Sequence, residues 1–147
     1  MIKMKMPLSS RLIFALLAIQ LIVGSHLADF NRTHIFNPNW PPHAKFHDAQ
    51  TLMFSWLLSI CSVFFAWRKT NDRLTSVWAA ALFAAVYFIA QMGAILYPGT
   101  ALFDPDTITS ASMILGIPGQ VYVEVITLAL VGLATWLALK PNAKWTE

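Results

Sequence analysis

The chain has little that titrates and nothing with which to crosslink itself. Its single cysteine, Cys61, lies inside an apolar run. A disulfide within the chain is therefore excluded, and the thiol packs as a small hydrophobe. Charged residues make up 12% of the sequence, where a soluble domain carries about a quarter. There is no P-loop, dinucleotide fingerprint, haem-attachment motif or serine elbow, which removes the common nucleotide and acyl-transfer chemistries. There is also no H-E-x-x-H and no pair of cysteine ligands. The net charge of +3 comes from basic residues that flank apolar runs rather than forming a stripe. No nucleic-acid partner is expected from that pattern.

What remains is mostly apolar, at 57% of residues, with a mean hydropathy of +0.59. This composition predicts an integral membrane protein in one domain. Spans are expected over about 12–28, 49–67, 74–97 and 121–139, each near or above the roughly 18 to 20 residues that a bilayer helix needs. The expected fold is an all-α membrane four-helix bundle. Lys3, Lys5, Arg11, Arg68, Lys69, Arg73, Lys140 and Lys144 fall on one side, against Arg32 and Lys45 on the other. That bias places both termini in the cytoplasm and the two long connections outside. It fits a bacterial inner membrane with those connections on the periplasmic face. The first span, which resembles a signal peptide in its basic start, reads as an uncleaved anchor.

All four histidines lie in the first long connection and its borders: His26, His34, His43 and His47. Asp29 and Asp48 accompany them. Pro41 and Pro42 suit the first turn of a helix, where a missing N–H is harmless. Span two should therefore begin near Pro42, with His43 and His47 four apart on one face and Gln50 and Phe54 continuing it. His26 and Asp29 share a face at the outer end of span one. Trp40, Phe36 and Phe46 pack the connection at the interface. Asn31-Arg32-Thr33 is a glycosylation sequon, relevant only in a secretory-pathway host.

Polar residues inside the spans fall at a similar depth. Glu124 lies about one turn into span four, with Gln120 four residues before it, and Gln91 lies towards the outer end of span three. A membrane-embedded acid usually faces the bundle interior or a cavity. Gln20, near the middle of span one, is the exception in depth. The inner halves offer no polar path, which argues against transport. In the second connection, Asp104-Pro105 suits a helix start and Gly116 a stop. A short interfacial helix is expected from about Pro105 to Leu115. Asp104 and Asp106 either reach the histidines or only cap that helix.

The run N-P-N-W-P-P-H-A-K-F-H, Asn37 to His47, resembles a motif in small four-helix membrane proteins grouped under domain-of-unknown-function labels. That likeness implies no activity. A more distant likeness is to the four-helix fold of emopamil-binding-type sterol isomerases and the sigma-2 receptor, and a looser one to DoxX-like proteins. The isomerase likeness implies a lipophilic ligand among the helices, with Glu124 and His47 as its acid and histidine. The histidines here sit nearer the helix start than in that pattern, and spans two and three carry no second deep acid.

Three readings follow. In the first, an outward-facing intramembrane pocket binds or converts a lipophilic small molecule by isomerase- or cyclase-like acid–base chemistry. His43, His47 and Glu124 are its catalytic groups, and His26, Asp29, Gln50, Gln91, Gln120 and Trp40 line it. In the second, a divalent transition metal is held by His26, His43, His47 and Asp48. In the third, the chain is a non-catalytic accessory subunit. A bundle closed within one chain and a homodimer both fit the sequence.

Overall fold

The structure is a computed structural model that describes residues 3–103 and 113–147. Four helices dominate it: α1 (Leu8–Asp29), α2 (Pro42–Trp67), α3 (Arg73–Ala94) and α4 (Gly119–Leu139). Each is long and apolar enough to cross a membrane. They form a ring in which α1 packs on α2 and α4, and α3 closes the ring against both. α1 and α3 also touch across the middle, whereas α2 and α4 stand opposite each other.

Small residues let the helices approach closely. Ser55, Ser59, Ser62 and Ala66 form the buried face of α2, and Ala80, Ala81 and Ala84 lie on that of α3. Such interfaces suit a bilayer, where association rests on close packing and interhelical hydrogen bonds. Ser59 Oγ donates to the Ala18 carbonyl at 3.1 Å, and Ser62 Oγ to the Ala80 carbonyl at 2.9 Å. The outward faces are just as apolar, with Leu12, Leu16 and Ile19 exposed along α1. Those faces suit contact with lipid.

Both chain ends lie at one end of the bundle. Met4 pairs with Thr70 in the α2–α3 link, and Lys5 pairs with Thr146 near the C-terminus. Trp145 folds back and donates its indole N–H to the Ala138 carbonyl at 3.0 Å. The Arg73 guanidinium covers its ring, 5.2 Å from the centroid. Asp72 caps α3 by accepting the Thr75 backbone N–H at 3.1 Å.

At the other end, Pro41 is the N-cap of α2 and Pro42 its first residue, the start expected from the proline pair. The short helix expected over 105–115 is corrected where it can be seen. Residues 104–112 lie outside the described residues, as do Asp104 and Asp106. Its last three residues are not helical. Met113–Ile114 (β1) pairs antiparallel with Ile117–Pro118 (β2). Leu115 and Gly116 form the turn, with φ of 52° and 78°. Two successive positive φ values are what a tight hairpin turn requires, and they end any helix.

Candidate functional site

The last turn of α1 and the segment after it build one wall of the site. Asn31 Oδ1 accepts from Thr33 N at 2.8 Å and Thr33 Oγ1 at 2.6 Å. Its amide donates back to the Ala28 carbonyl. This Asx-type turn satisfies a free carbonyl at the α1 C-terminus and reverses the chain. The turn delivers His34 to Asp29. His34 Nε2 stands 3.7 Å from Asp29 Oδ1, and His34 Nδ1 lies 2.8 Å from Thr33 Oγ1. The Thr33 hydroxyl spends its proton on Asn31, so it accepts from the His34 Nδ1–H. Protonation of His34 at Nε2 then completes an ion pair with Asp29. Trp40 backs the imidazole edge-on, with ring centroids 5.3 Å apart.

Two cavities meet at this wall. The axial cavity, about 370 Å³, lies among α1, α3 and α4. Its polar lining includes Gln20, Asp29, His34, Tyr87, Gln91, Gln120 and Glu124. The lateral cavity, about 540 Å³, lies between α2 and α3. Its apolar lining includes Phe54, Leu58, Val86 and Ala90. Asp29, Tyr87 and Gln91 line both. Each therefore stands where a molecule with an apolar tail and a polar end would change environment.

Glu124 is 2% exposed and accepts from Gln120 Nε2 at 3.1 Å. One turn further along α4, Thr127 donates to Gln20 Oε1 at 3.2 Å, which ties α4 to α1. Buried polar groups in a helix bundle need such partners. Glu124 differs from Thr127 in having a cavity beside it.

The expected site residues divide. Asp29, Gln91, Gln120 and Glu124 come together in the axial cavity. His26 does not line it. Its Nδ1 bonds to the Ile22 carbonyl at 2.8 Å, and its Nε2 receives the Trp56 indole N–H at 3.4 Å. Nδ1 is thus engaged within α1, and Nε2 packs α1 on α2. His43 and His47 are exposed on the first turns of α2 and line neither cavity. Their Nε2 atoms are 3.1 Å apart, and Gln50 Oε1 lies 3.3 Å from His47 Nδ1. Asp48 is partly buried, and among the described residues its Oδ2 has no hydrogen-bond partner. Among the described residues, no group of three or more His, Cys, Asp or Glu side chains stands close enough to hold a metal ion.

Tyr87, His34 and Gln20 line the axial cavity although none was among the expected site residues. Tyr87 had one available signal: it lies one turn before Gln91 on α3, so the two share a face. His34 had none, because its approach to Asp29 depends on the Asn31 turn.

Residues 13–141 match the model of a family described as a family of unknown function (DUF6640), and the chain belongs to that family. No curated protein and no solved structure matches it.

Proposed function

We propose that this membrane protein binds a lipophilic small molecule in one half of its bundle. The apolar part lies in the lateral cavity and the polar end reaches the axial one. The observation that carries this reading is the shared wall of Asp29, Tyr87 and Gln91, with apolar lining on one side and Glu124 and His34 on the other. A ligand site that is mostly apolar, with a few convergent polar groups, is the usual form of a small-molecule pocket.

The cavities lie at the end away from the chain termini. Eight of the ten basic residues cluster at the terminal end, so the site belongs on the outer, periplasmic side of a bacterial inner membrane. Residues of one chain line both cavities, and this reading needs no second copy. The acid–base form of the reading moves from His43 and His47 to the groups in the cavity. His34, held by Asp29, would give or take a proton at Nε2, and Glu124 would be the second proton carrier. A rearrangement such as an isomerisation needs two such groups in unlike surroundings.

Organic extraction of the detergent-purified protein, followed by mass spectrometry, tests the binding. A defined hydrophobe should accompany the native chain near stoichiometry and be depleted in Asp29→Asn and Glu124→Gln. Equal amounts in all three samples would sink the proposal.

A further inference from the structure

The histidine pair left outside both cavities has a geometry of its own. His43 and His47 lie one helical turn apart on the exposed start of α2. Their Nε2 atoms converge to 3.1 Å. Two imidazole nitrogens bound to one tetrahedral ion at roughly 2.0–2.1 Å lie about 3.3 Å from each other. The pair is thus within a few tenths of an ångström of a chelating arrangement before any ion arrives.

We propose that His43 and His47 form a two-nitrogen site on the outer surface that takes a divalent transition ion of the copper, nickel or zinc type. The orienting group is Gln50. Its Oε1 accepts the His47 Nδ1–H at 3.3 Å, which leaves the His47 Nε2 lone pair free. Without an ion, His43 donates its Nε2–H to that lone pair. On metal binding the His43 proton moves to Nδ1, and both Nε2 lone pairs point at the ion. Both imidazoles stay neutral, and no redox step is involved. Phe46 lies beside both rings, stacked on His43 at 6.2 Å and edge-on to His47 at 5.6 Å between centroids. Two protein ligands leave the other coordination positions to water, so the site holds an exchangeable ion rather than a structural one. Imidazole and water ligands favour copper and nickel over magnesium or calcium.

The test is titration of Cu(II), and separately Ni(II), into the full-length protein in detergent, purified without a histidine tag. The expected result is one ion per chain, with two nitrogen ligands in the copper electron paramagnetic resonance spectrum. His43→Ala and His47→Ala should each weaken binding at least about tenfold, and Gln50→Ala by a smaller factor. His26→Ala should bind as the native chain does, because His26 is committed to Ile22 and Trp56. All these side chains but His26 are exposed, so circular dichroism should be unchanged in the first three variants. No saturable binding, or binding that survives the His43→Ala/His47→Ala double variant, would overturn the inference. Loss of copper binding in His26→Ala with native circular dichroism would also overturn it.

Discussion

At the end of the bundle that carries both termini, Phe14, Ala80 and Ala134 have no exposed surface, and the chain ends are tied to the link and to each other. At the opposite end, Glu124 is almost as buried, yet it borders a cavity of about 370 Å³. The same four helices run through both regions. The difference lies in what fills the space between them. Alanines and serines, with Met6, Phe14 and Val77, close the first region. In the second, glutamines, acids and a tyrosine surround space they do not fill. Close packing is how membrane helices gain stability from each other. A region that gives up such packing and gathers polar groups instead is organised for something other than stability.

The largest effect should come from attacking the packed region. Phe14→Ala removes a side chain with no exposed surface from the core cluster. The expected loss is roughly 3 kcal/mol, the low end for a buried phenylalanine. Lipid rather than water is the reference surrounding, so the cavity left behind carries most of it. Reversible unfolding in mixed detergent micelles would measure this. Hydrophobe binding at the other end should persist below the lowered midpoint.

The converse substitution sharpens the comparison. Glu124→Leu replaces a buried carboxyl with an apolar side chain of similar size. Stability should stay level or rise by about 1 kcal/mol, because burying an apolar side chain avoids the desolvation cost of a buried polar group. Bound hydrophobe should fall. If stability instead dropped by more than about 2 kcal/mol, the Gln120–Glu124 hydrogen bond would be a structural strut. The two regions would then obey one rule.

The division between regions was only half legible in the sequence. Span number follows from run length alone, because each apolar run approaches or exceeds what a bilayer needs. The start of α2 follows from Pro41 and Pro42. The depth of Gln91, Gln120 and Glu124 follows from where each span enters the membrane. Position around the helix axis does not follow, because lipid removes the contrast that an amphipathic helix shows in water. On α1 the buried Phe14, Leu17 and Leu21 are no more apolar than the exposed Leu12, Leu16 and Ile19. Hence the placement of His43 and His47 outside the cavities was hidden, and Tyr87 inside them was signalled only by the face it shares with Gln91. The hairpin at 113–118 was hidden for another reason. Its turn puts Leu115, a branched residue, at a φ of 52°, where sequence leads one to expect glycine or asparagine.

The smallest effect tests whether the packed end needs its polar trim. Asp72 is an exposed side chain that caps the N-terminus of α3. Hydrogen bonds from Thr75 hold its carboxyl below the ordinary value of 3.8. A folded-state pKa that is depressed adds stability above the ordinary value and loses it as pH falls through the folded one. Asp72→Ala should therefore lower the unfolding midpoint slightly at neutral pH. Below pH 3.8 the native and variant chains should converge as the native carboxyl takes up its proton. Asp72→Asn keeps an accepting oxygen at the cap and should recover most of the difference. If the Ala variant stays as stable as the native chain at neutral pH, the clasp of Met4, Thr70 and Trp145 holds the start of α3 without its cap. The packed end would then be more redundant than its individual bonds suggest.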